Sequence, residues 1–135
     1  MPKVTEDNLF IAHKLDIEFE PSEFKLDEWG NVDFYYKKDN LLVLLEVEKS
    51  QKHPNTNVAK VWPYLEENPK IKVLLIQIIR EENRAPKNRI ALCDFLGQKM
   101  ENVFPDRFRF IKSNWADNKA NEINKSITSK MEELA

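Results

Sequence analysis

Residues 32–50 of this 135-residue chain, VDFYYKKDNLLVLLEVEKS, constrain its fold more than any other stretch. Two strand-like runs, residues 32–38 and 41–48, flank the turn pair Asp39-Asn40. Short apolar and aromatic runs on either side of such a pair predict a β-hairpin with a two-residue loop. The hairpin is therefore the element around which we expect the rest of the chain to pack.

The loop length sets the register of this hairpin. If the turn pair is the whole loop, Lys38 pairs with Leu41, and counting outward places Asp33 opposite Glu46. Because side chains alternate along a strand, Asp33, Glu46 and Glu48 then share one face. The other face is predicted to carry the apolar and aromatic residues Val32, Phe34, Tyr36, Val43, Leu45 and Val47.

Three carboxylates at one end of an apolar hairpin need a compensating charge. Like charges across a strand pair destabilise it, and burying them costs still more. A hard divalent cation such as Mg²⁺ or Mn²⁺, bound through oxygen, would provide the compensation. The alternative is that the acids line a solvated edge of the sheet, although Leu42 and Leu44 indicate that this face is covered.

Asp33 on one strand, then Glu46-Val47-Glu48 ending the next strand before a helix, resembles the motif of the PD-(D/E)XK nuclease superfamily. The resemblance covers residues 24–80 and implies a restriction-endonuclease-like core. It implies a metal-dependent nuclease that hydrolyses phosphodiester bonds of DNA, in which Asp33, Glu46 and the Val47 carbonyl bind Mg²⁺ or Mn²⁺. Glu48 occupies the position that usually holds the catalytic Lys of the family; a few restriction endonucleases of the family also carry Glu there. In the resembled site Glu48 would help to hold the ion or orient water.

The resemblance also needs a cation near the phosphate. In relatives of the family a Lys on the following helix can replace the missing one, which makes Lys60 the candidate; the alternative is an ordinary exposed helix lysine. Lys49, Lys52 and His53, in the polar connection after the acidic strand, are candidate nucleic-acid-binding residues. Lys49 should point to the opposite face of the strand, and solvated loop residues are the alternative for the others.

The first helix of the family often supplies an accessory acid. Glu6 is the candidate here, and a Glu stabilised by the helix N-terminus is the alternative. Residues 5–14 are expected to form this helix, with Thr5 as its N-cap. Residues 17–20 and 24–29 alternate like strands and predict an antiparallel meander leading into the hairpin.

The second half of the chain completes an α/β fold. A helix is expected from about residue 55, kinked or restarted at Pro63. Residues 71–80, IKVLLIQIIR, are apolar on both faces and predict a central strand that follows the hairpin in parallel. Gln77 is the one polar residue in its apolar centre, and a neighbouring backbone is its expected partner. A helix to about Val103 and a strand over residues 107–111 follow, giving a mixed sheet with the acidic hairpin in its middle and helices on both faces.

The tail, residues 113–135, is predicted to be an amphipathic helix. Its narrow apolar stripe consists of Ile123, Ile127, Met131 and Leu134. Such a stripe either packs on its own domain or pairs with a second copy to form a homodimer, and packing on the domain is the commoner outcome.

Length and composition limit the number of domains and the classes of protein to which this chain can belong. The length fits one domain, 1–135, and the 41% hydrophobic content fits a soluble globular protein. The single Cys93 fits a reducing cytoplasm, and the sequence shows no signal peptide and no membrane span, so no membrane partner is expected. Two glycines exclude P-loop and Rossmann fingerprints.

A net charge of −2 means that a DNA partner must rely on a local basic patch and on the metal. The low charge and Glu48 also permit a catalytically inactive nuclease-like fold that serves as a nucleic-acid-binding or regulatory module.

Overall fold

A mixed four-stranded sheet with helices on both faces forms this α/β fold. The structure is a computed structural model and describes residues 5–135. In chain order its elements are α1 (Glu6–Lys14), β1 (Phe24–Lys25), β2 (Asn31–Val32), β3 (Phe34–Lys38), β4 (Leu41–Glu48), α2 (Pro54–Ala59), α3 (Val61–Glu67), β5 (Lys72–Ile79), α4 (Lys87–Val103), β6 (Phe108–Asn114) and α5 (Ala120–Leu134).

The sheet has the strand order β3-β4-β5-β6, in which β4, β5 and β6 are parallel and β3 is antiparallel to β4. The predicted hairpin register is confirmed, because Lys38 pairs with Leu41. The parallel crossover onto β5 is confirmed as well. The expectation that the hairpin lies in the middle of the sheet is wrong for β3, which is the edge strand. β5, apolar on both faces, takes the central place that burial on both sides favours.

A bend at Asp33 breaks the strand that was predicted over residues 32–38. Phe34 pairs with Leu45 in the main sheet, whereas Val32 pairs with Phe24 in a separate two-stranded ribbon. Asp33 and Glu46 therefore lie one position beyond the last pair of the β3–β4 ladder and are not paired with each other. The bend also moves Val32 to the face of Leu42 and Leu44, so its predicted place beside Phe34 is wrong.

The predicted meander before the hairpin is mostly replaced by turns. From residues 17–20 only Glu20 makes a bridge, to Tyr35, and Pro21, which has no N–H for a ladder, prevents pairing beyond it. After β1 the chain enters a short 3₁₀ helix, Asp27–Trp29, and Gly30 has φ 134°, a value that side chains rarely allow. The amide of Leu26 donates to the Gly30 carbonyl and closes this turn.

Each face of the sheet is covered by its own helices. On one face α1 and α5 pack on residues such as Phe34, Leu45 and Ile76. On the other face α2, α3 and α4 pack on Leu44, Leu75 and other side chains of the sheet. The acids of β4 belong to this second face, because Glu46 and Glu48 continue the alternation of Leu42 and Leu44.

The helix signals are largely confirmed. Thr5 caps α1, since its Oγ1 accepts from the Asn8 amide at 3.2 Å. The helix expected from residue 55 is divided at Lys60 into α2 and α3. Pro63, at the third position of α3, has no N–H to donate to the preceding turn, which explains the restart.

The C-terminal tail differs from the prediction at its start. Ser113 and Asn114 belong to β6, and α5 begins only at Ala120. The expected packing of its stripe on the domain is confirmed, because Ile123, Ile127 and Leu134 are buried on the face of the sheet that α1 also covers. The surface considered for a homodimer is thus already covered. None of the helices in residues 5–135 is long and apolar enough to cross a membrane.

Candidate active site

The carboxyl end of β4 carries two buried acids. Glu46 is 7% exposed and Glu48 is fully buried. The hydrophobic run that precedes them draws β4 into the core, and strand alternation places both carboxylates on the face covered by α2. Burial of two acids in such a place is costly unless each has a partner.

Glu48 has amide partners. Asn57 Nδ2, on α2, lies 2.9 Å from both carboxylate oxygens of Glu48. Gln77 Nε2, on β5, donates to Glu48 Oε2 at 2.7 Å and to the Pro54 carbonyl at 3.0 Å. Burial raises the pKa of Glu48 above its ordinary value, and these hydrogen bonds from Gln77 and Asn57 oppose the rise. The two amides thus fix the Glu48 carboxylate and tie the start of α2 to the sheet.

Lys60 is the cation of the site. Its Nζ lies 2.6 Å from Glu46 Oε2 and donates to the Asn31 carbonyl at 2.7 Å and to Asn57 Oδ1 at 2.9 Å. The break between α2 and α3 places the Lys60 side chain over the acids. Gly30 leaves room for it, since a Cβ there would lie 3.3 Å from Lys60 Cδ.

Asp33 is the third acid of the group. It is half-buried at the bend between β2 and β3, where it is one residue outside the ladder pair of Phe34 and Leu45. Burial raises the pKa of Asp33, the nearby Glu23 carboxylate adds to the rise, and Lys60 opposes it. The bend therefore brings Asp33 within electrostatic range of the Lys60 ammonium.

The site is short of positive charge. Burial raises the pKa of Glu46 to about 8, and the Lys60 ammonium opposes that rise. Burial therefore favours the protonated form of Glu46, whereas the Lys60 ammonium favours the charged form. Within residues 5–135 the buried Oε2 of Glu46 has no polar partner other than the Lys60 ammonium, at 2.6 Å.

The donor set suits a hard cation, because Asp33, Glu46 and Glu48 offer carboxylate oxygens in a site with excess negative charge. Lys60 contacts Glu46, amides hold Glu48, and Asp33 interacts with Lys60 only at longer range. In the part of the chain that the structure describes, no group of three His, Cys, Asp or Glu side chains is placed to hold one ion. The structure therefore does not bring Asp33, Glu46 and Glu48 together as three ligands of one ion.

The other predicted residues lie outside this group. Lys49 points to the opposite face, as expected, where its Nζ is 3.5 Å from Asp7 on α1. Glu6 is exposed on the first turn of α1, which covers that opposite face, so it does not join the acids. Lys52 and His53 are exposed in the loop that leads to α2, beside the Glu48 end of the site.

Sequence reasoning missed two residues of the site. Asn57 was not assigned to the site, but its amide nitrogen donates to Glu48 and its side-chain oxygen accepts from Lys60. Gln77 was expected to bond a neighbouring backbone, and it bonds the Glu48 side chain as well as the Pro54 carbonyl. The available signal was parallel register, which pairs Gln77 with Glu46 on one face once the two strands are aligned.

Comparison of the chain with protein-family models, curated proteins and solved structures gave no match.

Proposed function

We propose that this chain is a metal-dependent nuclease that hydrolyses phosphodiester bonds of DNA and has a restriction-endonuclease-like core. The observation that carries the proposal is the group formed at the carboxyl end of β4 by Asp33, Glu46, Glu48 and Lys60. Carboxylates that share too little positive charge at a strand end fit the divalent-metal site of such an enzyme.

In this proposal Asp33 and Glu46 hold Mg²⁺ or Mn²⁺. When bound, the ion supplies Lewis-acid chemistry that polarises the scissile phosphate and activates water. Glu48 is a fixed acceptor beside the pair, because Asn57 and Gln77 restrain both of its oxygens. A restrained carboxylate can orient a water molecule or take its proton.

Lys60 takes the part of the lysine that Glu48 replaces on the strand. Its backbone is fixed between two helices, and its ammonium already reaches Glu46. From that position a positive charge can stabilise the negative charge that develops on the phosphate oxygens during hydrolysis. A group held by helices is placed more accurately than one on a loop, which favours Lys60 over Lys52.

A catalytically inactive nuclease-like module that binds nucleic acid or regulates a partner is the second candidate. It is favoured by the contact between Lys60 and Glu46, which gives one of the two proposed metal ligands an internal cation. In this reading the ammonium permanently replaces the metal, and the acids serve only to fix α2 and α3.

A nuclease assay on circular and linear DNA separates the two candidates. We expect the wild-type chain to cut with Mn²⁺ and to be inactive in EDTA. Glu46→Gln should abolish the metal-dependent cleavage and leave the circular dichroism spectrum unchanged. Glu18→Gln, an exposed glutamate outside the site, is the matched control and should cut like wild type. Absence of Mn²⁺-dependent cleavage by the wild-type chain would favour the inactive module.

A further inference from the structure

Two loops leave the sheet beside Glu48, and both carry basic residues. The loop after β4 contains Lys52 and His53, and the loop after β5 leads to Lys87 and Arg89 at the start of α4. Both loops start at the carboxyl ends of adjacent parallel strands, so they lie side by side. We call Lys52, His53, Lys87 and Arg89 the basic rim.

Hydrogen bonds join the two loops into one surface. Arg89 Nη1 donates to the Lys52 carbonyl at 3.0 Å and lies 3.4 Å from His53 Nε2. Asn83 Nδ2 donates to the carbonyls of Glu48 and Gln51, at 3.3 Å and 3.2 Å. These hydrogen bonds hold the two loops together, so the residues of the basic rim keep fixed positions relative to one another.

The basic rim borders the candidate active site. His53 directly precedes Pro54, whose carbonyl accepts from the same Gln77 amide that holds Glu48. Asn57, one turn further along α2, also donates to Glu48. A polymer bound on the basic rim would thus pass next to the acids.

The charges of the basic rim are not neutralised by carboxylates in the described part of the chain. Lys49, Lys60, Arg80, Arg109 and Lys112 each have a carboxylate within 4.0 Å. Over residues 5–135, Lys52, Lys87 and Arg89 have no such partner. Of the two acids in the second loop, Glu82 is paired with Arg80 at 2.8 Å and Glu81 is exposed.

We propose that the basic rim binds the phosphate backbone of double-stranded DNA beside the acids of the active site. The proposal rests on the proposed function for the identity of the polymer, but it does not require cleavage. Lysine, arginine and histidine side chains presented from loops contact phosphates without reading bases, so binding is independent of sequence. It is also salt-dependent, because each phosphate contact releases condensed counterions.

The test is equilibrium binding of a fluorescently labelled 20-base-pair duplex in EDTA, measured over a series of salt concentrations. We expect the double variant Lys52→Ala/Arg89→Ala to bind at least ~10-fold more weakly than wild type at moderate salt. Its slope of log K against log salt should be shallower by about 0.9 for each lost phosphate contact. Lys49→Ala removes a lysine three residues from Lys52 that faces α1, and it should bind like wild type.

One further variant covers the case in which the double variant is unstable. Arg89 bonds the Lys52 carbonyl, so Lys87→Ala, at an exposed position without such a bond, tests the same surface if the double variant is unstable. It should weaken binding, by a smaller factor. Unchanged affinity and salt slope in the folded double variant would overturn the basic rim, even if the wild-type chain cuts DNA. Weakened binding in a chain that never cuts DNA would support the basic rim and refute the nuclease.

Discussion

At the scale of single residues, Lys60 is the residue on which the interpretation of the site depends most. It contacts Glu46, the Asn31 carbonyl and Asn57 from the break between two helices. A lysine at an ordinary exposed helix position has no such set of partners. Lys60 is therefore not the ordinary exposed helix lysine that was its alternative.

Lys60→Ala should lower the single-turnover cleavage rate at least ~100-fold, about 2.7 kcal/mol of transition-state stabilisation. The metal-free variant should also be less stable by about 1–2 kcal/mol, because the Asn31 carbonyl and Asn57 lose their donor. Lys52→Ala is the control and should cost less than ~10-fold, mainly through weaker binding at higher salt. Cleavage by Lys60→Ala at the wild-type rate would exclude a catalytic role for this lysine.

At the scale of elements, Gln77 joins β5 to β4 and α2. Its amide nitrogen bonds Glu48 and the Pro54 carbonyl, so one buried side chain connects three elements. Hydrogen bonds to a charged group contribute more than neutral ones, and an acid left with fewer donors is costly when buried. Gln77 is therefore expected to stabilise the arrangement on which the site depends.

Gln77→Leu should destabilise the chain by about 1–3 kcal/mol in urea unfolding, because Glu48 and the Pro54 carbonyl each lose a donor. Leu74→Met, a volume-conserving change at a buried position of the same strand, should cost less than about 1.5 kcal/mol. If the two variants are equally stable, the hydrogen bonds of Gln77 contribute little to the fold.

The packing of α4 on β6 depends on Gly97. A Cβ at this position would overlap the ring of Phe110. Ala is normally the better helix former by about 1 kcal/mol, so a gain in stability is the expectation from propensity alone. We predict that Gly97→Ala instead lowers the unfolding free energy by about 1–3 kcal/mol, because the ring must move. Ser126→Ala, on an exposed position of α5, should be neutral or stabilising, and a stabilised Gly97→Ala would contradict the described packing.

At the scale of the whole molecule, the sequence predicted the strands and their pairing better than the side-chain contacts between distant residues. The two-residue turn at Asp39-Asn40 sets the register of the hairpin locally, and the apolar run of β5 requires a buried central place. The bend at Asp33 was missed because it depends on the burial of Val32 under a distant helix layer. Gln77 and Arg89 were not assigned to the site or its border because their partners are far along the chain.

The buried acids should make stability depend on pH. Burial raises the pKa of Glu46 from its ordinary value of 4.5 to about 8, so between these pH values the folded chain binds a proton that the unfolded chain releases. The unfolding free energy of the metal-free chain should therefore fall as pH rises through this window, and Glu48 acts in the same direction. Urea unfolding from pH 4.5 to 8 measures it, and Glu46→Gln should have a shallower slope. A slope unaffected by that substitution would show that Glu46 does not titrate in this way.

The most direct test of a divalent-metal site is a Mn²⁺ titration of the purified chain by calorimetry at pH 8. At this pH a proton competes less strongly with the metal for Glu46 than at neutral pH. We predict one Mn²⁺ per chain, lost in Glu46→Gln and in Asp33→Asn and retained in Glu18→Gln. Failure of the wild-type chain to bind Mn²⁺ at millimolar concentration, or undiminished binding by Glu46→Gln, would contradict the account.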